Sequence, residues 1–176
     1  MAEMQRPTDS LAYVTPRAEG QVDAWSEESQ HRGSQRLTEV AEVDPPQEVA
    51  AALRLSPGEK AAVRRRVILL DGDPIELADS YYPLCIARGT ALAEKRKIKG
   101  GAPTLLAELG YRARRVCEDL EFREADNFEC TALVLPAGAT VLTLLRATAG
   151  EGGSPFEVQH MVMKAPRRLH YEVEVD

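Results

Sequence analysis

Three consecutive arginines, Arg64, Arg65 and Arg66, open the stretch RRRVILLDGDPIELADSYYP. A guanidinium is always charged and presents its donors in a planar fork. Buried alone it costs several kcal/mol, so it needs a protein carboxylate or an anion from outside. In an extended chain Arg64 and Arg66 share one face and Arg65 takes the other. The cluster therefore suits three uses: a handle for nucleic-acid phosphates, a solvated strand end with surface ion pairs, or one wall of a pocket for a small anion.

The returning segment offers Glu76, Ala78, Ser80 and Tyr82 on one face and Ile75, Leu77, Asp79 and Tyr81 on the other. A three-residue turn sets the first group beside Arg64 and Arg66; a two-residue turn sets the second there. The sequence leaves this register open. Hydroxyls of Ser80 and Tyr82 facing an arginine suit a small anionic or polyhydroxyl ligand. The plainer alternative is that Tyr81 and Tyr82 are one core and one surface aromatic.

A late segment, PFEVQHMVMK, alternates Glu157, Gln159, Met161 and Met163 with Phe156, Val158, His160 and Val162. Glu157 is a carboxylate on an otherwise apolar strand, either a pocket group or the partner of an arginine such as Arg146. His160 is a half-buried packing residue or, with Glu157, a weak acid–base pair. The candidate ligand-binding set is thus Arg64, Arg66, Ser80, Tyr82, Glu157 and His160. No nucleophile elbow, metal-binding His pair or CxxC occurs, so no catalytic residue, metal or cofactor is expected. Cys85, Cys117 and Cys130 read as reduced, mostly buried small apolar residues.

The chain has 176 residues, 44% of them hydrophobic, and a net charge of −6. That balance argues against the whole chain holding DNA or RNA by a basic face. No apolar run reaches the ~20 residues of a membrane span, and the N-terminus lacks a signal-peptide core. A cytoplasmic protein is expected.

The positioning elements follow from local pattern. Residues 1–36 are rich in Ser, Glu, Gln and Arg and read as a linker or loosely docked arm, with Trp25 as its anchor. Residues 37–176 read as one domain. A strand in RLTEVAEV precedes a helix in QEVAAALRL, capped by Asp44 and stopped at Ser56-Pro57-Gly58. Strands over about 60–70 and 74–82 flank Asp71-Gly72-Asp73, a hairpin signal. A short helix near 103–109, a strand in RARRVCEDLEFRE, a helix in EADNFECTALVL and strands in ATVLTLLRATA, PFEVQHMVMKA and RLHYEVEV complete the order. Two stretches echo each other: Gly58 to Pro74 spans 16 positions and Gly138 to Pro155 spans 17, with Arg66 near Arg146 and Glu76 against Glu157. Two weak copies of a helix–hairpin unit predict an α+β fold, a single antiparallel sheet with helices packed against it. No glycine-rich loop follows a strand, so neither a P-loop nor a dinucleotide fold is supported.

The Arg…DG-D-P…SYYP hairpin, the L-P-A-G stop and the G-S-P-F-E strand, in that order, resemble the UTRA effector-binding domain of GntR-type transcription regulators of the HutC subfamily, in a form similar to actinobacterial members. The resemblance implies a chorismate lyase-like fold used as a ligand sensor, without catalysis. It implies a small-molecule effector, a homodimer or a heterodimer with a full-length regulator, and DNA contact only through a winged helix–turn–helix that no pattern in residues 1–36 supplies. It assigns the anion-contacting arginine to Arg66, the hairpin hydroxyls to Ser80 and Tyr82, and the late carboxylate to Glu157. Polar positions of the family are Ile68, Ala78 and Met163 here, which implies an effector less charged than a phosphosugar or a copy that no longer binds one. The alternative function on the same fold is a small-molecule lyase, which needs more than Arg66 to hold a dicarboxylate.

Overall fold

The computed structural model describes residues 8–18, 21 and 23–170. Eight strands are found: β1 Thr8–Asp9, β2 Gly33–Val43, β3 Ala61–Leu70, β4 Asp73–Pro83, β5 Arg115–Glu124, β6 Thr140–Ala149, β7 Pro155–Lys164 and β8 Leu169–His170. Five helices, α1 Ala24–Glu28, α2 Gln47–Leu53, α3 Leu84–Ala87, α4 Gly101–Glu108 and α5 Asn127–Leu133, are joined by 3-10 turns at Ser10–Tyr13 and Ala91–Ala93. Six strands form one antiparallel sheet in the order β2-β3-β4-β7-β6-β5, and β1 pairs in parallel with β8.

The order of that sheet explains the echo. The unit β2-α2-β3-β4 is followed by β5-α5-β6-β7, and the two meet at the antiparallel β4–β7 pair in the middle. Gly58 and Gly138 both sit at positive φ after the helix, where Arg54 and Val134 close α2 and α5 in the left-handed region. The two repeat helices lie on one face, over Val63, Tyr81 and Val158 and over Val141 and Val162. The opposite face is covered by α1, α3, α4 and the turn at 91–93 through Trp25, Ile86, Leu92 and Leu106.

The hairpin resolves the open register in an unanticipated way. Asp71 and Gly72 both take positive φ, 51° and 88°, and Leu70 pairs with Asp73, so the turn has two residues. That backbone matches the twist of paired strands and favours glycine at its second position. Yet Arg64 and Arg66 share a face with Ser80 and Ala78, because a bulge between Ile68–Glu76 and Leu69–Pro74 leaves Ile75 extra. One extra residue reverses the facing of everything beyond it. The second hairpin has the matching bulge, between Thr148–Glu157 and Ala149–Pro155, with Phe156 extra.

Several local expectations are corrected. α2 is preceded by Pro46 with no side-chain cap, and Asp44 lies exposed near Lys60. α5 instead has a full capping box, in which the Glu129 amide donates to Asp126 and the Asp126 amide to Glu129. Cys85 and Cys117 are exposed, and Cys130 is half-buried against Leu133, Val141 and Val162; all three are free thiols. β2 begins at Gly33, so the boundary expected at residue 36 falls inside a strand. Trp25 is buried, and its Nε1 donates to the Leu69 carbonyl at 3.1 Å. Gly33 is required beside it, since a Cβ there would fall 2.2 Å from Trp25 Nε1. The last expected strand is seen at Leu169–His170, and its remainder, 171–175, lies outside the described residues.

Candidate functional site

The sheet face away from α2 and α5 carries a cavity of about 130 Å³, walled by Ile68, Leu144, Met161, Met163 and Trp25. It opens toward a wider hollow of about 790 Å³ under α1 and the start of α4. Arg66, Gln35, Trp25 and Arg17 line both, which puts Arg66 where the two spaces meet.

The two halves place an arginine at matched positions, each eight residues beyond the positive-φ glycine, Arg66 after Gly58 and Arg146 after Gly138. Their surroundings differ. Arg146 is flanked across the sheet by Glu118 and Gln159. Its Nε donates to Glu118 Oε1 at 2.5 Å and its Nη1 to Gln159 Oε1 at 3.2 Å. The network runs on: Gln159 Nε2 donates to Glu157 Oε1 at 3.2 Å, and Tyr82 Oη to the same oxygen at 2.7 Å. Burial and the adjacent Glu157 charge hold the Tyr82 phenol well above its usual range.

Arg66 has Leu37 and Ala78 at the corresponding cross-strand positions. It reaches diagonally, donating from Nη2 to Ser80 Oγ at 2.8 Å and from Nη1 to Gln35 Oε1 at 3.5 Å. Among the described residues no carboxylate lies within ion-pairing distance of it, and its buried Nε has no acceptor. It is half-buried. A guanidinium so placed favours an anion in the space before it.

Deeper in the cavity, Arg167 stacks over the Trp25 ring at 5.7 Å from its centroid. Its Nη2 approaches Glu76 Oε2 at 3.4 Å and its Nη1 lies 3.8 Å from Glu28 Oε1. Glu28 also accepts from the Tyr13 hydroxyl. Burial pushes the Glu76 carboxyl up, against the pull of Arg167, Arg66 and Arg146. Tyr13 is likewise raised, by burial first and then by Glu28.

Of the six residues singled out from sequence, Arg66, Ser80, Tyr82 and Glu157 share this face. Arg64 shares it too, but its guanidinium is committed elsewhere. Nη1 donates to the carbonyls of Ala91, Leu92 and Glu94 and Nη2 to that of Arg96, at 2.7–3.0 Å. That makes it a clamp on the backbone of 91–96, and desolvation pulls its pKa down. His160 is on the opposite face. It pairs with Asp79 across β4–β7 and faces Glu48 of α2 at 3.7 Å, with the sheet between it and the cavity. The alternation of β7 already separated it from Glu157. Arg65 also faces that side, paired with Glu39 at 2.9 Å and Asp79 at 3.2 Å.

A family model for the UTRA domain matches residues 28–167. The chain belongs to the UTRA domain family. Among solved structures, this UTRA domain is similar to the ligand-binding domain of a protein assigned to the GntR-family transcriptional regulators of Bordetella bronchiseptica, at 25% identity, 92% of this chain, 95% of that one and a TM-score of 0.66. It shares its fold with the effector domain of PhnF from Mycobacterium smegmatis, at 16% identity, 92% and 99% coverage and a TM-score of 0.71. The chain spans 60% of another GntR-family structure, at 23% identity, 82% of this chain and a TM-score of 0.74. A comparison with curated proteins finds no match. The α+β antiparallel architecture expected from the echo is the fold of these domains.

Residues 13, 28, 35, 118 and 167 escaped the sequence reading of the site. Arg146 and Glu76 were visible in it as the echoes of Arg66 and Glu157. Nothing local marks Arg167 or Gln35, which come to the cavity through pairings at the edge of the sheet and beyond the last long strand.

Proposed function

We propose that this UTRA domain senses a small organic anion for a GntR-type regulator of the HutC subfamily, without catalysing a reaction on it. The observation that carries the reading is Arg66, a guanidinium with no carboxylate partner among the described residues, at the junction of a cavity and a wider hollow. Ser80 and Gln35 hold its fork from one side, and no carboxylate among the described residues offsets its charge. The apolar walls of the inner cavity, Ile68, Leu144, Met161 and Met163, favour a carboxylate with an apolar body over a phosphosugar. The regulator works in the cytoplasm as a dimer, since symmetric regulators read two half-sites, and touches DNA through a winged-helix module. Among the described residues no helix is long and apolar enough to cross a membrane.

Benzoate tests the site. At millimolar concentration it should raise the melting temperature of the wild-type chain and leave that of Arg66→Gln unchanged. A comparable rise with micromolar glucose 6-phosphate overturns the carboxylate preference, and release of pyruvate from chorismate overturns the non-catalytic reading.

A further inference from the structure

Among the described residues four buried guanidinium nitrogens have no hydrogen-bond acceptor. Arg65 Nε is on the far face, 3.2 Å from Asp79 Oδ2; the other three, Arg66 Nε, Arg167 Nε and Arg167 Nη1, belong to two residues that line the same cavity. Arg167 is the deeper of the two, with only 8% of its side chain exposed. A buried donor left unsatisfied costs about 1–3 kcal/mol, more when it is charged, so each orphan atom marks where an acceptor gains most.

The two arginines differ in charge balance. Arg167 sits between Glu76 and Glu28, which offset its charge without accepting from Nε or Nη1 in good geometry. What it lacks is a lone pair, not a negative charge. Arg66 lacks the charge itself. Between them the walls are Ile68, Leu144, Met161 and Met163. A cavity near 130 Å³ is about the size of the engineered void that takes up benzene in another protein, so the enclosed part of a ligand is one ring or its equivalent.

We propose that the cavity holds a second, neutral-acceptor subsite at Arg167, and that the effector is an apolar-bodied monocarboxylate carrying a carbonyl or hydroxyl oxygen at the end opposite its acid group. The carboxylate lies on Arg66 and Ser80, the ring or chain on the methionines, and the far oxygen accepts from Arg167. A second carboxylate is disfavoured at that end because Glu76 and Glu28 already face it. The inference rests on the anion site proposed at Arg66 and deepens it.

Two nearly isosteric probes separate the two ideas, 4-acetylbenzoate with a far carbonyl and 4-isopropylbenzoate without one, each titrated calorimetrically into the wild-type chain, Arg66→Gln and Arg167→Lys. The lysine variant keeps the positive charge beside Glu76 while removing the fork, and Arg167→Met serves as a second variant. The acetyl compound should bind the wild type about tenfold more tightly, the worth of one hydrogen bond to a charged donor. That preference should vanish in both Arg167 variants with the isopropyl affinity unchanged, and Arg66→Gln should weaken both acids by the same factor. Equal wild-type affinities, or a preference that survives at Arg167→Lys and Arg167→Met, overturn the second subsite and leave the anion site standing. Failure of both acids to bind at about 10 mM, the affinity scale of a weak ligand of this size, overturns the anion site and the subsite together.

Discussion

The two halves of the sheet are the same device built twice, and Arg66 and Arg146 show what the repetition leaves free to vary. Both project from the matched strand toward the same face. In the second half, Glu118 and Gln159 occupy the cross-strand positions and draw Arg146 into a chain of hydrogen bonds ending at Tyr82. In the first half those positions hold Leu37 and Ala78, and Arg66 is left with Ser80 and a long contact to Gln35. One arginine is structural and the other available, although their strands are equivalent. The difference lies in the neighbouring strands, not in the arginines.

The largest effect should come from breaking the second half. Glu118→Ala removes the acid from an ion pair whose side chains are 8% and 3% exposed, and a buried pair deprived of one partner loses about 3 kcal/mol or more. Urea unfolding should show that loss for Glu118→Ala and less than ~1 kcal/mol for Arg66→Met, which strands no acid. Equal losses would mean that the two arginines carry the same structural duty. Next, Leu37→Glu should install in the first half the acid that the second half already has. Benzoate affinity should drop about tenfold or more, by calorimetry, with stability kept, because a resident carboxylate competes with the guest for the same donors.

A smaller effect is expected at the midline. Tyr82→Phe removes a hydroxyl from buried Glu157, at a cost of about 1–2 kcal/mol in urea. The smallest is a pH effect. Burial raises the Glu76 carboxyl above its ordinary value of 4.5, so between that value and its folded one the native chain holds a proton that the unfolded chain has released. Its contribution to stability is complete below the ordinary value and is lost as pH rises through the folded one. Glu76→Gln should make the stability of the chain less steep on the alkaline side of pH 4.5; an unchanged slope in urea titrations at several pH values would assign the dependence to another group.

Much of the fold was legible because its signals are local. Asp71-Gly72-Asp73 marks a hairpin turn, Gly58 and Gly138 mark helix ends, and the matched spacing of Arg66 with Arg146 and Glu76 with Glu157 announces a repeated unit. The hairpin's facing was not legible, since it depends on a bulge at Ile75 that no residue type advertises. Alternation put Arg64 with Arg66, Ser80 with Tyr82, and His160 opposite Glu157, but that Arg66, Ser80, Tyr82 and Glu157 come to one face depends on the bulge and the strand order. What each group does there was not readable. Whether a guanidinium is idle depends on which acid the sheet's far strands bring beside it, as Leu37 and Glu118 show. Arg64 illustrates the same limit, its donors taken by carbonyls nearly thirty residues along the chain, at Ala91–Arg96.

That last arrangement has a mechanical meaning. Arg64 grips four carbonyls of one loop from a strand position only two residues from Arg66, so loop and strand are geared together. A displacement of β3 by even a fraction of a residue has to carry the whole 91–96 segment with it or sever four bonds at once. The exposed cations of that segment, Lys95 and Arg96 among them, therefore travel as a rigid pointer on the strand that faces the cavity, and they convert a movement too small to see at the sheet into one at the protein's outer boundary.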